Sequence, residues 1–584
     1  MTNIKNDYIR QEYPRPDFER ENWISLNGIW DFAFDDSGEG EQQNWYQSHE
    51  YTDKITVPFC YQSKNSGIGD TACHPYLWYH RNFDIRKEEG RHYLLKFGAV
   101  DYHTKVWINE QYVGEHYGGH SSFQFDISTC VRDGSNSLTV RVVDTNSCDY
   151  PRGKQFWGEE PERCWYTQTS GIWQNVWLEI TGDSYFDSLQ VLTDIDHKIV
   201  DIHTHWVGNR SKNISCRILY EGRVLAASEQ EQEPGNTDFC FHIKESDPIE
   251  EFHYWSPEHP QLFDLEITIC SGGHCEDRVK SYFGMRKISI ENGKILLNNK
   301  PYYQKLIMDQ GYWVDGLMTA PSDESFYQDL KIVKEMGFNG VRKHQKIEDP
   351  RFYYWADRLG LLVWEEMPSA YVFSAEAVAN TTREWIEILR RDWNHPCVIA
   401  WVTLNESWGV RNIISSEQQQ NYAAMLYYLT KSMDPSRIVS SNDGWEQICF
   451  TDLCSIHDYE VGPEELEEKY GNVELMMNKD AQGRMLYAHG HRWLHQPVIL
   501  SEFGGAATIS DYSHGWGYKE TQITAQELMD QYQKLIHAIS RVKTLQGFCY
   551  TQLTDVMQEV NGLLDAQHKP KVSVEKIREY NAVI

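Results

Sequence analysis

The chain has 584 residues, more than one hydrophobic core usually holds, so we expect two to four domains. Its formal net charge of −31 argues against nucleic acid or an anionic membrane surface as a partner. Thirteen cysteines without CxxC spacing suit free thiols, and neither a signal peptide nor a run of roughly 18 apolar residues is evident. These features predict a cytoplasmic protein without a membrane segment.

The first half of the chain consists of short alternating apolar and polar runs separated by turn signals. Residues 1–182 contain several such runs and a hairpin signal around Asn109, a pattern typical of a jelly-roll β-sandwich. Residues 183–287 hold about a hundred residues of the same kind, which suits an immunoglobulin-like β-sandwich. The sequence therefore predicts two successive β domains.

From residue 288 strand-like runs alternate with helical ones, which indicates βα units and a parallel sheet. Helices are predicted at Ser322–Met336, with Ser322 as a plausible cap, and at Thr382–Trp393. The eight predicted strands are Tyr303–Met308, Gly340–Lys343, Leu361–Trp364, Val398–Leu404, Arg437–Ser440, Leu453–Ile456, Val498–Ser501 and Phe548–Thr551. Residues 288–584 thus match the size of a (β/α)8 TIM barrel.

Two glutamates follow strand-like apolar runs. Glu406 comes after the run CVIAWVTL and Asn405, and Glu502 comes after PVIL and Ser501. Strands buried on both faces read as continuous apolar runs, and barrel active sites form at the carboxyl ends of the strands. Two carboxylates at one barrel mouth are the minimum equipment for cleaving a glycosidic bond. The pair therefore predicts a glycoside hydrolase.

Three motifs carry a resemblance to a known family. They are RDWNHPCVIAWVTLNES at 391–407, MGFNGVRKH at 336–344 and SGIWQ at 170–174. With the order jelly roll, immunoglobulin-like domain and barrel, the chain resembles glycoside hydrolase family 2, which includes β-galactosidases, β-glucuronidases and β-mannosidases. The resemblance covers nearly the whole chain and implies a retaining, exo-acting β-glycosidase.

The resemblance also implies residue roles. Glu406 is the expected general acid/base and Glu502 the expected nucleophile, each with its own carboxyl environment because the two pKa values must differ. Arg342 is the expected partner that keeps Glu502 ionised. By the resemblance, Asn405 holds the 2-hydroxyl group of the sugar, and His344, Tyr459 and Glu366 line the same site. Further candidates for sugar binding stand at or after the ends of predicted strands: Asp309, Trp364, Gln552, Asp555 and Asn561.

The identity of the terminal sugar is the part of the prediction that the sequence determines least. The β-glucuronidases of this family carry an Asn-x-Lys motif near the eighth strand, whereas the comparable stretch here reads EVNGLL at 559–564. Without that lysine a buried glucuronate lacks a partner, although Lys569 and Lys571 follow closely. We therefore expect a neutral terminal sugar, galactose first, with glucuronidase, mannosidase and arabinosidase or galactofuranosidase as alternatives.

Further expectations concern cofactors, partners and competing classes of protein. No cofactor and no metal is predicted, because the acidic residues offer no trusted ligand spacing. The expected partners are a glycoside or oligosaccharide and, by the resemblance, further copies of the chain. A non-catalytic carbohydrate-binding protein and a transglycosylase on the same scaffold are the alternatives from other classes.

Overall fold

The computed structural model describes residues 10–243, 254–477, 482–509, 515–519 and 521–584. Residues 1–9, where the absence of a signal peptide was predicted, lie outside these ranges. None of the described helices is both long and apolar enough to cross a membrane.

The first domain is a jelly-roll sandwich of two antiparallel sheets. Its six-stranded sheet has the order β3-β2-β4-β10-β7-β8, its four-stranded sheet the order β1-β12-β5-β9, and β6 pairs with β11. The hairpin predicted around Asn109 joins β7 to β8. The strands are β1 Trp23–Ser25, β2 Gly28–Phe34, β3 Asp53–Val57, β4 Tyr76–Ile85, β5 His92–Phe97, β6 Val100–Asp101, β7 His103–Ile108, β8 Gln111–Tyr117, β9 Phe123–Asp126, β10 Gly134–Val143, β11 Gly171–Ile172 and β12 Val176–Thr181, with 3-10 turns at Pro16–Phe18 and Lys64–Ser66.

The second domain is a smaller antiparallel sandwich of three and four strands, ordered β13-β14-β17 and β16-β15-β18-β19. Side chains of β14 alternate between buried and half-buried along its whole length, as expected for a strand with one face on a core. The strands are β13 Tyr185–Asp194, β14 Ile199–Val207, β15 Lys212–Tyr220, β16 Arg223–Gln232, β17 Gly235–His242, β18 Phe263–Ser271 and β19 His274–Phe283.

The third domain is the predicted TIM barrel, entered through a small sheet of β20, β21 and β22. Eight parallel strands follow in the order β27-β26-β25-β24-β23-β30-β29-β28, and most of their residues are buried on both faces. The strands are β20 Ile288–Glu291, β21 Lys294–Leu297, β22 Lys300–Pro301, β23 Gln304–Asp309, β24 Gly340–Lys343, β25 Leu362–Glu366, β26 Val398–Val402, β27 Ile438–Ser440, β28 Cys454–His457, β29 Val498–Gly504 and β30 Leu545–Thr551. Thus all eight predicted barrel strands are present.

The barrel helices begin where the sequence offers caps. The side chain of Ser322 accepts a hydrogen bond from the Ser325 amide at the start of α1, as predicted. Helix α3 is longer than predicted, because Ser374 caps it well before Thr382. The helices are α1 Asp323–Glu335, α2 Pro350–Leu359, α3 Ala375–Asp392, α4 Glu417–Met433, α5 Leu466–Tyr470, α6 Val473–Met477, α7 Ala525–Ile539 and α8 Val574–Asn581.

Candidate active site

Arg342, at the carboxyl end of β24, is the centre of the site and is fully buried. Its Nη1 lies 2.6 Å from Glu502 Oε1, and its Nη2 lies 2.8 Å from Glu366 Oε2 and 3.0 Å from Asp443 Oδ2. Nη2 also donates to Asn405 Oδ1 at 2.8 Å. One guanidinium therefore binds groups from four different strand ends, and its planar fork suits several acceptors at once.

Glu502 lies in β29 and is held as an anion. Burial alone would raise its pKa, but the positive charges of His457 and Arg342 outweigh burial and lower it. The hydroxyl of Tyr459 donates to Glu502 Oε2 and lies 3.0 Å from Thr551 Oγ1. An ionised carboxylate oriented by several donors is the state that a nucleophile needs.

His457, at the end of β28, lies between the two glutamates. Its Nδ1 is 2.8 Å from Glu406 Oε1 and 3.4 Å from Glu502 Oε2, and its Nε2 is 3.1 Å from Asp443 Oδ2. Burial lowers the pKa of His457, but these carboxylates raise it to about 10. The ring is therefore a cation that donates from both nitrogens.

Glu406 follows β26 in a strained turn. Its φ is +50° and that of Ser407 is +60°, a left-handed conformation that residues with a Cβ seldom adopt. Amide hydrogen bonds hold the turn, from Glu406 to the Asp443 carbonyl at 2.9 Å and from Ser407 to Asn442 Oδ1 at 3.0 Å. The turn leaves the Glu406 carboxyl partly exposed, whereas Glu502 is almost fully buried.

Glu406, His457 and Glu502 also form the one group of three potential metal-ligating side chains found among the described residues, with ligand atoms within 4.8 Å of one another. Both nitrogens of His457 donate to carboxylates, so the protonated ring has no lone pair for a cation. The three side chains are better matched to one another than to a metal.

A chain of hydrogen bonds follows β30. Gln552 Nε2 donates to Asn561 Oδ1 at 2.6 Å, and Asn561 Nδ2 donates to Glu559 Oε1 at 3.0 Å. Buried polar atoms normally have partners, yet Gln552 Oε1 and Asn405 Nδ2 have none among the described residues. These two atoms are candidates for contacts with sugar hydroxyl groups.

Of the other residues predicted for the site, His344 belongs to the network around Arg342, whereas Asp309 and Asp555 form separate ion pairs. His344 Nδ1 is 3.0 Å from Glu366 Oε2, which places it beside Arg342. Asp309 pairs with Lys343 Nζ at 2.8 Å, and Asp555 pairs with Lys571 Nζ at 2.6 Å. Neither aspartate forms an ion pair or a hydrogen bond with Glu406 or Glu502 among the described residues.

The position of Trp364 contradicts its predicted role in sugar binding. It was expected to line the sugar site, but it is fully buried in the hydrophobic core of the barrel, where its Nε1 donates to Gln304 Oε1 at 2.7 Å. In a strand, successive side chains point to opposite faces, and apolar pattern alone does not tell which level of a barrel a side chain occupies. The half-buried Trp408, two residues after Glu406, is better placed for the sugar, since its ring centroid lies 6.3 Å from that of His344.

A loop of the first domain, residues 146–168, closes one side of the site; we call it the sandwich loop. The amides of Arg152 and Gly153 donate to the carbonyl of Ser369 in the barrel at 3.1 and 3.2 Å, and the Tyr371 amide donates to the Cys148 carbonyl at 2.9 Å. These bonds between domains hold the sandwich loop against the loop that follows β25.

Sequence reasoning missed three residues of this site: His457, Asp443 and Lys154. His457 stands at the end of the sixth strand in the same stretch as Tyr459, so its position offered a signal. Asp443 follows the short fifth strand β27, and Lys154 belongs to another domain. No local pattern links either of these two to the barrel mouth.

Three family descriptions match the chain. Residues 23–181 match "Glycosyl hydrolases family 2, sugar binding domain", residues 184–286 match "Glycosyl hydrolases family 2", and residues 288–584 match "Glycosyl hydrolases family 2, TIM barrel domain". The fold and the glutamate pair at the mouth thus define a glycoside hydrolase. The chain belongs to glycoside hydrolase family 2.

Relatives carry several activities in their names. A β-glucuronidase from Canis lupus familiaris is 24% identical over 97% of this chain and 91% of that protein. A β-galactosidase from Thermoanaerobacter pseudethanolicus is 28% identical over 56% of this chain and 44% of that protein. Among solved structures, a β-glucuronidase from an uncultured Clostridium sp. has a TM-score of 0.79 at 21% identity, covering 98% of this chain and 100% of that one. A β-galacturonidase from Eisenbergiella tayi has a TM-score of 0.76 at 19% identity, covering 99% and 98%. At these structural identities the likeness shows the fold.

Proposed function

We propose that this protein is a retaining exo-β-glycosidase that removes a neutral sugar from the non-reducing end of its substrate, with a β-galactoside as the first substrate to test. The observation that carries the retaining mechanism is the closeness of the two carboxyl groups. Ligand oxygens of Glu406 and Glu502 lie within 4.8 Å of each other. Retaining enzymes hold the two groups about 5–5.5 Å apart, whereas inverting enzymes hold them about 6.5–9.5 Å apart.

In the first half of the reaction, Glu502 attacks the anomeric carbon while Glu406 protonates the leaving oxygen. The positive charges of Arg342 and His457 keep Glu502 ionised for the attack. The bond to the sugar removes the charge of Glu502. Glu406, now a carboxylate, then takes a proton from the water that releases the sugar.

The stretch after β30 supports a neutral sugar. If Asn561 matches the asparagine of the Asn-x-Lys motif in the family's β-glucuronidases, Leu563 stands where that motif would supply the lysine. Glu559 is buried, and its pKa is raised by burial against the opposing charge of Lys154. A second carboxylate on the sugar would meet this acidic group at close range.

A β-uronide is the second candidate, and a specific observation favours it. Lys154 places a buried ammonium group near the catalytic glutamates, and the names of several relatives include glucuronidase or galacturonidase. Arabinosides and galactofuranosides are further substrates for the same scaffold. We place the neutral sugar first because the negative charge of Glu559 opposes the positive charge of Lys154.

A panel of p-nitrophenyl glycosides tests the proposal: β-galactoside, β-glucuronide, β-mannoside, α-L-arabinosides and β-galactofuranoside. We expect fastest turnover of a neutral β-glycoside. If the glucuronide is turned over fastest, the substrate is a uronide and not a neutral glycoside. A folded protein that turns over none of these substrates would favour a carbohydrate-binding role.

Azide rescue tests the mechanism separately from the sugar. The Glu406→Ala variant lacks the acid/base, so azide should restore turnover of an activated aryl glycoside and yield a β-glycosyl azide. An α-azide product would contradict retention. The ratio of transfer to hydrolysis at high acceptor concentration distinguishes a transglycosylase from a hydrolase.

A further inference from the structure

Lys154, on the sandwich loop, brings a buried cation from the first domain to the mouth of the barrel. It is 2% exposed, and its Nζ lies 4.9 Å from the ring centroid of Trp408, two residues after Glu406. Its carbonyl accepts a hydrogen bond from the Tyr166 amide at 2.7 Å. A lysine on a surface loop is rarely so buried, so this position calls for a physical reason.

The neighbours of Lys154 show where its charge acts. Burial lowers the pKa of Lys154, but Cys164, Glu559, Glu502 and Glu406 together raise it above the ordinary value. In turn, after burial, the charge of Lys154 is the largest influence that lowers the pKa of His344. The ammonium group therefore lies within electrostatic reach of Glu406, Glu502 and Glu559, and its contact with the Trp408 ring places it beside the turn that carries Glu406.

Glu559 is the matching anion. Its Oε2 accepts from the hydroxyl of Tyr166 at 2.6 Å, and its Oε1 accepts from Asn561 Nδ2 at 3.0 Å. Each carboxylate oxygen has a further lone pair. Tyr166 thus binds Lys154 through its backbone and Glu559 through its side chain, so one residue of the sandwich loop holds both charges in place.

Two stacked tyrosines, Tyr459 and Tyr518, lie beside Glu502 and within electrostatic reach of Glu559. The rings of Tyr459 and Tyr518 are parallel, with centroids 3.5 Å apart, and Tyr459 donates to Glu502. Burial first, then the charges of Tyr459, Glu559 and Glu502, raise the pKa of Tyr518. Tyr518 therefore stacks on the tyrosine that binds Glu502 and lies within electrostatic reach of both carboxylates.

We propose that Lys154 and Glu559 form a charge pair that binds the hydroxyl groups of the terminal sugar, and that Glu559 excludes sugars bearing a carboxylate. A hydroxyl group donates to a carboxylate and accepts from an ammonium, so it satisfies both members of the pair. A uronate only accepts, and it would add an anion beside Glu559. Like charges placed together repel each other, so the pair discriminates between sugars at one substituent. The inference deepens the proposed function and rests on it.

Sugars that differ only at carbon 6 test the charge pair: p-nitrophenyl β-galactoside against β-galacturonide, and β-glucoside against β-glucuronide. One of these two pairs of substrates should be cleaved faster by the wild type. Within that pair we expect the neutral glycoside to have a higher kcat/KM than the uronide. Glu559→Gln keeps the shape of the side chain and removes its charge. It should shift the ratio of uronide to neutral kcat/KM upward by about tenfold or more, as the loss of a like-charge contact implies.

Lys154→Met tests the other member of the pair. It removes the ammonium group and should lower kcat/KM for the neutral glycoside by about tenfold, since a charged hydrogen-bond donor is lost. In the double variant, the gain in uronide cleavage caused by Glu559→Gln should disappear, because that gain depends on an uncompensated Lys154. A double variant that retains the gain would overturn the role of Lys154.

The matched control is Glu162→Gln, which removes a carboxylate from the same loop. The Glu162 side chain is 63% exposed and its nearest ion-pair partner is Arg163 at 3.6 Å. It should leave the uronide-to-neutral ratio unchanged, because solvent screens its charge. Melting temperatures of all variants verify that changes in the ratio arise in folded protein.

Besides the double variant, two further results would overturn the inference: a wild type that prefers the uronide of its pair, or a Glu559→Gln variant with an unchanged ratio. Failure of the proposed function is recognised separately, by the absence of turnover on every aryl glycoside. In that event, the binding of free galactose and free galacturonate to the wild type and to Glu559→Gln, measured by calorimetry, shows whether Glu559 discriminates against the sugar carboxylate. Equal discrimination by both proteins would reject the charge pair.

Discussion

The strand ends of the barrel and the sandwich loop supply the same pocket by different physical means. The barrel contributes what we call the catalytic floor: Arg342, Glu406, His457 and Glu502. Their charged groups lie 2.6 to 3.4 Å from one another in the series Arg342, Glu502, His457 and Glu406, and all four stand on β-strands or shortly after them. The sandwich loop contributes Lys154 through backbone hydrogen bonds between domains.

This difference separates chemistry from selectivity. On the catalytic floor each charge compensates another, so changing one member leaves a buried charge without its partner. The sandwich loop is a connection whose side chains can vary while the barrel remains intact, and loops on rigid scaffolds often carry specificity. We therefore expect changes on the floor to remove activity and changes on the loop to alter substrate preference.

The largest effect is expected for Glu502→Gln. A neutral amide cannot form the glycosyl ester, so kcat on aryl glycosides should fall by about a thousandfold or more. Steady-state kinetics measures the loss, and the melting temperature shows whether the variant is folded. A variant that keeps more than about a hundredth of the wild-type rate would show that Glu502 is not the nucleophile.

The charge of His457 should make stability depend on pH. Its pKa of about 10 in the folded protein exceeds the ordinary value of 6.5. The stabilisation is therefore fully present below pH 6.5 and is lost as the pH rises through about 10. His457→Asn removes it, so wild type and variant should differ by roughly 5 kcal/mol in free energy of unfolding at pH 6, and the difference should shrink to less than about 1 kcal/mol near pH 10. Urea titrations at several pH values measure the difference; a constant gap would contradict a charged His457.

Gly153→Ala should disturb the sandwich loop without touching the floor. Gly153 has a φ of +59°, and an added Cβ would lie 2.0 Å from the carbonyl oxygen of Gln345 in the barrel. The loop must move away, which should raise KM by about tenfold while kcat changes less. Gly462→Ala is the control, since nothing lies within 4 Å of its added Cβ. An equal loss of kcat would mean that the loop also shapes the floor.

The smallest effect is expected for Trp364→Phe. The variant loses the hydrogen bond to Gln304 in the barrel core, so the free energy of unfolding should fall by about 1 kcal/mol with KM unchanged. Trp408→Phe, at the mouth, should raise KM instead. If Trp364→Phe affects KM more than Trp408→Phe does, Trp364 belongs to the sugar site after all.

Much of the fold was readable in the sequence because it depends on local patterns. Continuous apolar runs and interleaved helices predicted all eight barrel strands, including the short β27 and β28, and Ser322 marked the start of α1. The start of α3 was missed, because the predicted helix began inside the true one and Ser374 was overlooked as a cap. Boundaries are harder to predict than the elements themselves, since one or two side chains decide them.

The candidate site divides in the same way. Glu406, Glu502 and Arg342 follow apolar strand runs, and parallel strands bring their carboxyl ends together, so sequence alone placed them at one mouth. The sequence also determined the three-domain order and the family. Only the tertiary structure decided that Trp364 is a core residue, that His457 is a cation between two glutamates, and that Tyr166 hydrogen-bonds to both Lys154 and Glu559. The reason is physical: such roles depend on burial and on distances between groups far apart in the chain, which no local pattern encodes.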